Sequence, residues 1–379
     1  MRRRLTAGAA LAAAALLASV MGAGTGTAAA DSPALGTGYG VHDGQVPLTT
    51  TKTTSAYLLQ DPTRGNTVTV DGRTNTILTD ADNIWGNGLP ANLQSAGVDA
   101  QFAAVSVWDY FKYSFNRLGV RNDGKGVRSV VHYGNHYTNV FWSDACGCIN
   151  YGDGSDNAHP LTTIDIGAHE ITHGITSATA GLTYTGEAGA LNESTSDIFA
   201  TMVEFSANIP ADVPDYLIGE KANLNGNGTP LRYMDRPSRD GVSPDYWSTS
   251  VPNLDPHVAS GIGNHFFFLL AEGSGPRVIN GISYNSPTVN GSVLTGIGQN
   301  TAAAIWYRAL TVYMTSTTNY HAARTATLAA ARDLYGAASS QYAAVGAAWT
   351  AVNVVGRAVP SPAHGGTART GHAGEVRTG

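Results

Sequence analysis

Two histidines one helical turn apart, in the stretch AHEITHGIT at residues 168–176, constrain the fold of this chain most strongly. Positions four apart lie on the same face of an α-helix, so His169 and His173 would direct their imidazoles to one point, with Glu170 beside that point. Isoleucines flank the pair on both sides, which indicates that the helix is buried. The pattern predicts an interior helix with a metal-binding pair at the floor of a cleft.

The third ligand of such a site has to come from another segment, because a catalytic zinc ion takes three protein ligands and keeps one position open for water. The turns that follow His173 supply no third histidine. The stretch GALNESTSDIFATMVEF places Glu193 and Asp197 one turn apart on a second helix with an apolar face. Glu193 can complete the zinc site, and Asp197 can accept the other ring N–H of a ligating histidine and fix its orientation.

Two other interpretations of the histidine pair stay open at this point. The histidines can be a hydrogen-bonded pair in the core, or they can hold a zinc ion that is purely structural. An isolated H-E-x-x-H motif also occurs by chance. The position of Glu193, twenty residues after His173 on a second helix, favours the catalytic zinc site.

The charge balance excludes a large class of partners. The chain has 22 lysines and arginines against 28 aspartates and glutamates, so it lacks the basic surface that collects nucleic acid or anionic lipid. Three arginines, an Ala/Leu-rich run and an A-x-A site before Asp31 predict a secretory signal peptide over residues 1–30. No later stretch reaches the roughly 18 apolar residues of a membrane span. We therefore expect a secreted, extracellular monomer without nucleic-acid or membrane partners.

The character of the sequence changes near residue 160, and the change predicts an α+β protein. Residues 31–160 would form a β-rich N-terminal domain and residues 161–355 a mainly α-helical C-terminal domain. Residues 356–379 lack an apolar period, which is typical of a disordered tail.

Local signals place the elements within these domains. In the β-rich part, NTVTVDGRTNTIL predicts a hairpin turning at Asp71-Gly72, and one amphipathic helix would be capped by Asp99 and ended by Gly119. His132 and His136 are interpreted as ordinary sheet residues, and His265 as a structural residue. Helices are predicted in the second half over residues 163–179, 189–208, 258–272, 299–316, 321–335 and 338–353.

Cys146 and Cys148 are the chain's two cysteines. In an exported protein they can close a tight local disulfide, which would stiffen one loop and add little global stability because the loop is so short. As zinc ligands they lack the second pair that such a site needs. Whether they form the disulfide stays open here.

Beyond these local signals, the chain resembles the thermolysin family of secreted neutral zinc metalloendopeptidases, which are of the gluzincin type. The resemblance runs from about Leu35 to Val354 and implies a thermolysin-like two-domain fold with the active-site cleft between the domains. It rests on many motifs in order, among them YLLQDPTRGN, VHYGNHYTNVFW, IDIGAHEITHGIT, AGLTYTGEAGALNESTSDIFATMVEF, PDYLIGE, LRYMDRPS and HVASGIGNHFF.

Carried over position by position, the resemblance implies a role for each residue of the site. It implies one catalytic Zn²⁺ on His169, His173 and Glu193, with Glu170 as general base and Asp197 as the partner of a ligand. Tyr184 and His257 would stabilise the oxyanion. The implied contacts with substrate backbone are Asn139, Val140 and Arg232, and the implied apolar specificity pocket is Leu161, Ile166, Ile218, Ala222 and Leu231.

The resemblance also implies structural Ca²⁺, one ion or more. Asp165, Glu204, Asp215 and Glu220 fall at the family's calcium positions, and clustered carboxylates suit a hard cation with oxygen ligands. Asp80 and Asp82 in TDADN either hold another calcium ion or are solvated turn residues.

Two departures from the family pattern concern the oxyanion histidine and the maturation of the chain. Pro252 stands where an aspartate normally supports that histidine, which leaves Asp255 as the candidate substitute for His257. The catalytic resemblance also begins soon after residue 30, without a long pro-segment. We expect that the chain needs no folding helper or obtains one in trans.

The predicted function is therefore a secreted zinc endopeptidase that cleaves proteins or peptides through zinc-activated water, with Glu170 as general base. It would prefer bulky hydrophobic residues on the amino side of the new N-terminus. The alternative is a non-catalytic, zinc-containing binding protein of the same fold. An exopeptidase would need an anchor for a terminal amine, and the sequence offers none.

Overall fold

The structure, a computed structural model, describes residues 31–224 and 226–356, which have the predicted α+β composition. The predicted signal peptide lies outside the described residues, as does the predicted tail beyond Gly356. Within the described part, no helix is long and apolar enough to cross a bilayer. The division into domains at residue 160 stays a prediction.

Two sheets occupy the N-terminal part. The first has the strand order β7-β3-β2-β1-β8, and the second has the order β10-β11-β9-β5-β4, with β6 paired to β5. The edge position of β10 is the feature that matters for the site. The strands are β1 Ser32–Tyr39, β2 Gln45–Lys52, β3 Tyr57–Leu58, β4 Gln60–Asp61, β5 Thr67–Asp71, β6 Thr76–Ile77, β7 Thr79–Asp80, β8 Ile84–Gly86, β9 Arg128–Val131, β10 Val140–Ser143 and β11 Cys148–Tyr151.

The first helix, α1, runs over Leu93–Phe115, and the sequence prediction of its ends was wrong. Asn92 caps its start by accepting the Gln94 N–H, and Asn116 ends it in the left-handed conformation. Asp99 lies inside the helix and is buried. The helix is amphipathic, as predicted: Trp108 and Phe111 are buried in the core, whereas Leu118 beyond the helix is exposed.

Asp99 does not cap a helix but joins three segments of the chain. Its carboxylate accepts the backbone N–H groups of Val41, His42 and Asp43, which form the turn between β1 and β2, and the hydroxyl of Thr162. Burial raises the pKa of Asp99 to about 6, although these donors and His42 lower it. The carboxylate therefore fixes the β1–β2 turn against the start of the helical part.

Of the other local predictions in the N-terminal part, the hairpin is confirmed and the placement of two histidines is wrong. The hairpin of β5 and β6 is confirmed, but Asp71 pairs with Thr76, so the connection is longer than a two-residue turn. His132 and His136 lie in the connection between β9 and β10 with positive φ angles of 58° and 53°, so their placement within strands was wrong. The structure joins Cys146 and Cys148 in a disulfide at the turn between β10 and β11.

The C-terminal part is mainly helical, as predicted, and one predicted helix is divided in two near Ser260. A hairpin that the sequence analysis missed, β14 and β15, turns at Asn280-Gly281, where both residues have positive φ. The helices are α2 Ile164–Ser177, α3 Gly186–Ala207, α4 Pro256–Ala259, α5 Gly261–Glu272, α6 Gln299–Val312, α7 Tyr320–Tyr335 and α8 Ser340–Ala351. The strands here are β12 Leu217–Ile218, β13 Arg232–Tyr233, β14 Gly275–Ile279 and β15 Ile282–Ser286.

One hydrophobic core runs from α1 through the helical part, and α2 and α3 lie inside it. Its far end contains Phe266 of α5 stacked on Trp349 of α8, with ring centroids 3.8 Å apart. Two glycines let neighbours approach α2 closely. A Cβ on Gly167 would come within 2.7 Å of Ala103, and one on Gly174 within 2.5 Å of the Trp142 ring. The fold thus fixes α2 between α1, α3 and the edge strand β10.

Replacing Asp99 by alanine tests its structural role. Asp99→Ala leaves three backbone donors of the β1–β2 turn without their acceptor, at about 1 kcal/mol each, so the free energy of unfolding should fall by about 3 kcal/mol. Urea denaturation in excess calcium measures the change. Asp109→Ala, on the same helix, removes a half-exposed ion pair to Arg64 and should cost less than about 1 kcal/mol. Equal midpoints for Asp99→Ala and the parent would contradict the role.

Candidate active site

The packing of α2 against α3 brings the three predicted zinc ligands together. His169 Nε2 lies 3.1 Å from His173 Nε2. From the facing helix, Glu193 places its carboxylate oxygens 3.4 Å from each of these two nitrogens. His169 and Glu193 are buried and His173 is half-buried. The predicted convergence of these side chains from two helices is present in the fold.

The spacing of these atoms fits a zinc ion. Ligand atoms about 2.0–2.1 Å from a tetrahedral Zn²⁺ stand about 3.3 Å from one another, which is the separation found here. In addition, Glu193 Oε2 is buried and has no hydrogen-bond partner among the described residues. A buried carboxylate oxygen without a donor is costly, and a bound cation would satisfy it. The donor set therefore suits a zinc ion.

The partners of the two histidines fix which ring nitrogen faces this point. His169 Nδ1 lies 2.8 Å from Asp197 Oδ1, and a carboxylate accepts hydrogen bonds, so Nδ1 carries the proton. His173 Nδ1 lies 2.8 Å from the amide oxygen of Asn192, whose NH₂ group is committed to the Leu182 carbonyl. Both Nε2 atoms therefore present lone pairs to each other, an arrangement that requires a proton or a metal ion between them.

The charge around this point favours a cation. Burial acts against the protonated ring, but Asp197 and Glu193 outweigh it and raise the pKa of His169 to about 10. Burial likewise acts to raise the pKa of Asp197, yet Arg232 and His169 hold it well below its usual range. Arg232 donates two hydrogen bonds of 2.7 Å to that carboxylate, and Asn264 donates a third. Asp197 is thus a permanently ionised support for His169.

Glu170 sits beside the ligand cluster and is anchored across the cleft. The backbone N–H of Trp142, on β10, donates to Glu170 Oε2 at 3.0 Å. Burial raises the pKa of Glu170, and the neighbouring histidines partly offset this effect. A carboxylate in this environment binds a proton more readily than an exposed one does, which suits a general base.

Tyr184 and His257 lie beside Glu193 and line the same cleft. The Tyr184 hydroxyl is 3.1 Å from His257 Nε2 and donates to Glu193 Oε1. Asp255 holds the histidine: its carboxylate accepts the His257 backbone N–H and lies 2.9 Å from His257 Nδ1. The contact is the one that the sequence analysis expected of Asp255 in place of the aspartate replaced by Pro252, and its role in catalysis stays a prediction. Two potential hydrogen-bond donors therefore lie beside the ligand cluster.

A cleft of about 420 Å³ opens over these residues. One wall is the edge strand β10 and the residue before it, which include the predicted substrate contacts Asn139 and Val140. The other walls come from α2, α3, the segment before α3 that carries Tyr184, and α4, which carries His257. The zinc ligands and Glu170 all line the cleft, so the cluster is open to a substrate on one side.

The remaining predicted substrate residues are not among those that line this cleft. Arg232 is engaged with Asp197, and its contact with a bound peptide stays a prediction. Gly219 lies between Ile166 and Leu231, where an added Cβ would come within 3.5 Å of both side chains. The members of the predicted specificity pocket are buried, apart from half-buried Leu231, and the role of the pocket stays a prediction; they are Leu161, Ile166, Ile218, Ala222 and Leu231.

Sequence reasoning missed two residues that support the site. Asn192 orients His173, and Asn264 of α5 donates to Asp197. The position of Asn192 directly before the ligand Glu193 was a usable signal, because consecutive residues on a buried helix both face packed neighbours. Asn264 gave no signal, since only the tertiary fold brings α5 to Asp197.

The four predicted calcium residues also lie together, with one residue that was missed. Asp212 joins Asp165, Glu204, Asp215 and Glu220, and we call these five residues the acidic cluster. Ligand oxygens of Glu204, Asp212 and Glu220 all lie within 4.8 Å of one another. Two unit charges at that distance repel by about 3 kcal/mol at an effective dielectric constant of about 20. The cluster therefore needs protons or a cation.

The environment of the acidic cluster supports this interpretation. Burial and the other carboxylates raise the pKa of Asp215 to about 7 and that of Glu220 to about 10. Both carboxylate oxygens of Glu204 are buried without a hydrogen-bond donor among the described residues. The other predicted pair behaves differently, because Asp80 accepts the backbone N–H groups of Asp82 and Asn83, as turn residues do.

Comparisons with known proteins agree with this geometry. A family model described as "Thermolysin metallopeptidase, catalytic domain" matches residues 35–177, and one described as "Thermolysin metallopeptidase, alpha-helical domain" matches residues 180–354. Among solved structures, the precursor of protealysin, a metalloproteinase from Serratia proteamaculans, matches with a TM-score of 0.57 and 28% identity. That match covers 77% of this chain and 89% of the other.

Curated relatives carry metalloprotease names. The chain is 54% identical to a transglutaminase-activating metalloprotease of Streptomyces mobaraensis over 77% of this chain and 39% of that protein. It is 40% identical to bacillolysin of Bacillus cereus, over 76% of this chain and 50% of that protein. It is 38% identical to thermolysin of Alicyclobacillus acidocaldarius, over 80% of this chain and 54% of that protein. The chain thus spans about half the length of these relatives, or less.

Replacing Asn192 tests the orientation of the second histidine. Asn192→Ala removes the acceptor of the His173 Nδ1–H, so the affinity for zinc should fall by about 10- to 100-fold, as measured by competition with a chelator. Ser177→Ala, in the same cleft, removes only a hydrogen bond to Asp144 and should leave the affinity unchanged. An unchanged affinity in Asn192→Ala would show that His173 needs no such support.

Proposed function

This chain belongs to the thermolysin metallopeptidase family, and from that premise we propose that it is a zinc-dependent endopeptidase. The observation that carries the proposal is the convergence of His169, His173 and Glu193 at separations of 3.1–3.4 Å, beside Glu170 in an open cleft. A purely structural zinc site would be closed by a fourth protein ligand. A hydrogen-bonded histidine pair would not leave Glu193 Oε2 without a partner.

His169, His173 and Glu193 would hold the zinc ion, which when bound supplies Lewis-acid chemistry to a peptide carbonyl and to water. The chain's own groups then move the protons. Glu170 accepts a proton from the attacking water and delivers it to the leaving amide nitrogen. The Trp142 N–H fixes one oxygen of Glu170, so the base is held in one orientation during both transfers. No covalent bond to the protein forms.

Tyr184 and His257 would stabilise the negative charge that develops on the carbonyl oxygen. His257 would donate from Nε2, and the Asp255 carboxylate at Nδ1 holds the ring in the orientation that this contact needs. The removal of one such donor typically costs about 3 kcal/mol of transition-state stabilisation. Asp255 would therefore contribute through the orientation of His257.

The proposed substrates are proteins or peptides bound in extended form. The edge strand β10 can pair with a substrate strand, and Asn139 and Val140 lie where backbone contacts would form. Main-chain pairing gives broad sequence tolerance. Selection would come from the apolar pocket of Leu161, Ile166, Ile218, Ala222 and Leu231, with Arg232 at the substrate carbonyl. These residues favour bulky hydrophobic side chains on the amino side of the new N-terminus.

We also propose secretion, from the N-terminal signal, and a monomeric protein without nucleic-acid or membrane partners. The acidic cluster would hold structural calcium. Its residues offer the oxygen ligands that Ca²⁺ prefers, and several of those oxygens are buried without hydrogen-bond donors in the described structure. The calcium would remove the repulsion among these carboxylates.

The alternative function is a binding protein that keeps the fold and the zinc ion without turnover. The same ligands support it equally. The anchored Glu170 and the paired Tyr184 and His257 favour the peptidase, because a binding protein has no need of them.

Replacing the base separates these two functions. Glu170→Gln should retain one zinc ion per molecule, by metal analysis, and lose about 100- to 10,000-fold of its activity on casein or on a blocked Gly-Leu amide. Asp144→Asn, a carboxyl at the rim of the same cleft, should keep its activity within tenfold of the parent. Full activity of Glu170→Gln would refute the assigned role, and a parent with zinc but no turnover would support the binding protein.

Removal of calcium should destabilise the protein more at higher pH. An unfolded carboxyl group ionises near pH 4, whereas burial first, and then neighbouring carboxylates, raise the folded pKa of Asp212 to about 6 and of Asp215 to about 7. Folding without calcium therefore takes up protons, and stability falls as the pH rises from about 4 to 8.

Melting temperatures with calcium and with EGTA, measured at pH 5 and at pH 8, check this dependence. Measurements in the Glu170→Gln background avoid self-cleavage. The difference between the two solutions should be larger at pH 8. An equal difference at both pH values would show that calcium does not replace protons in the acidic cluster.

A further inference from the structure

A second cavity opens beside the main cleft, at the end of the edge strand β10. Its volume is about 260 Å³, and it shares Trp142 and Asp144 with the main cleft. Its other lining residues lie between positions 120 and 127, in the connection from α1 to β9, and between positions 145 and 147, in the turn from β10 to β11. We call it the outer cavity. Nothing in the proposed reaction uses it.

Contacts along β10 determine which part of a bound substrate would reach the outer cavity. The backbone N–H of Leu161, in the proposed specificity pocket, donates to the Gly152 carbonyl, and the Gly152 N–H donates to the Asn139 carbonyl. The specificity pocket therefore lies at the Asn139 end of the strand, whereas the outer cavity lies at the Ser143 end. Substrate residues that follow the cleaved bond would occupy the pocket end. Residues that precede this bond would extend toward the outer cavity, so the substrate would run antiparallel to β10.

This direction allows the substrate residues to be counted along the strand. Phe141 and Trp142 line the main cleft, and the contact of the Trp142 N–H with Glu170 marks the place of the reaction. In an antiparallel pair, each residue lies opposite one residue of the partner strand. The first two residues before the cleaved bond would therefore lie along Phe141 and Trp142. The third and fourth would lie beyond Trp142, in the outer cavity.

Contacts within the fold hold both walls of the outer cavity. On one side, the Asn122 N–H donates to the Gly119 carbonyl at 3.1 Å, and the Asn122 side chain accepts the Leu118 N–H at 2.9 Å. These bonds fix the backbone of the turn that carries Arg121. On the other side, the disulfide closes the turn between β10 and β11. The position of each wall is thus set by backbone contacts and a covalent bond.

Arg121 is an unpaired cation in this cavity. Its side chain is exposed and makes no hydrogen bond or ion pair with the residues that the structure describes. The neighbouring charges behave differently. Lys125 Nζ lies 3.9 Å from Asp123 Oδ2, and Asp123 Oδ1 accepts the Lys125 backbone N–H, so the charges of these two residues offset each other. The guanidinium of Arg121 is therefore available to a ligand.

Asp144 carries a negative charge at the border with the main cleft. Its Oδ1 accepts the Trp142 Nε1–H, and its Oδ2 accepts the Ser177 hydroxyl, each at 2.8 Å. Asp144 lines both cavities, whereas Arg121 lines only the outer one. A substrate strand that leaves the main cleft would therefore meet a negative charge first and a positive charge one or two residues later.

We propose that the outer cavity is a subsite for an acidic substrate side chain, three or four residues before the cleaved bond, and that Arg121 selects this side chain. A guanidinium pairs with a carboxylate through two parallel hydrogen bonds. Because Arg121 is exposed, the attraction is modest and is screened by salt. Asp144 makes the same acidic side chain unfavourable two residues before the bond. The inference rests on the proposed endopeptidase function and adds a second determinant to its specificity.

Cleavage of a matched peptide series tests the inference. Each blocked, internally quenched peptide has one Gly-Leu bond with four residues before it, and glutamate, glutamine or lysine stands two, three or four places before the bond. A short peptide that begins two places before the bond, with no charged side chain, lacks the residues that would enter the outer cavity. The value of kcat/KM is measured with the zinc-loaded protein at low salt and in about 1 M NaCl.

The variants are Arg121→Gln and Arg121→Glu, with Arg332→Gln as the control. Arg332, on α7, is an exposed arginine that lines neither cavity, so its replacement changes the net charge by the same amount as Arg121→Gln does. All variants should cleave the short peptide at the rate of the parent. This result would show that they are folded and hold zinc.

With the test residue three or four places before the bond, the parent and Arg332→Gln should cleave the glutamate peptide about threefold faster than the glutamine peptide. They should cleave the lysine peptide about threefold more slowly than the glutamine peptide. Arg121→Gln should lose this preference, and Arg121→Glu should prefer lysine. The preference of the parent should fade in about 1 M NaCl, because salt screens exposed charges.

Three results would overturn the inference: equal rates of the parent on all three peptides, a glutamate preference that persists in Arg121→Gln, or a preference for glutamate two places before the bond. Each of them leaves the peptidase function in place, because the short peptide is still cleaved. Failure of the zinc-loaded parent to cleave any peptide would overturn the proposed function, and this inference with it.

Discussion

Three side chains whose ligand atoms repel one another unless a proton or a metal ion lies between them are held together by the packing of α2 on α3. The lone pairs of His169 Nε2 and His173 Nε2 face each other at 3.1 Å, and the ionised Glu193 approaches both. Close packing around α2 keeps these side chains in place. Gly167 and Gly174 allow α1 and the Trp142 ring to press against α2. The packing of the hydrophobic core thus holds the ligand cluster together. A bound cation would offset part of the free-energy penalty of burying its charges.

The zinc site and the acidic cluster share the same two helices. Asp165 lies one turn before His169 on α2, and Glu204 lies three turns after Glu193 on α3. Cations bound to the acidic cluster would therefore fix the relative position of the helices that build the zinc site. Both places follow one principle, since each gathers carboxylates whose burial is unfavourable until a cation binds. Metal binding, rather than additional hydrophobic area, would complete this part of the fold.

The chemistry of the site was predictable from the sequence because it depends on helical periodicity. The spacing of HEITH and of Glu193 and Asp197 determines which side chains share a helix face. Contacts between distant segments were not predictable. Asp99 resembles a helix cap in the sequence, yet Asn92 caps α1, and Asp99 binds a turn more than fifty residues away. Asn264 and Asp212 likewise acquire their roles only through the tertiary fold. The hairpin at Asn280-Gly281 had a visible turn signal, but its strands are short.

A crystal structure of the zinc-loaded protein, with the metal located by anomalous scattering, tests the central claim most directly. We expect one ion within about 2.0–2.2 Å of His169 Nε2, His173 Nε2 and a Glu193 oxygen, with solvent in the remaining position and Glu170 uncoordinated beside it. A fourth protein ligand that closes the coordination sphere, or an ion bound without Glu193, would contradict it.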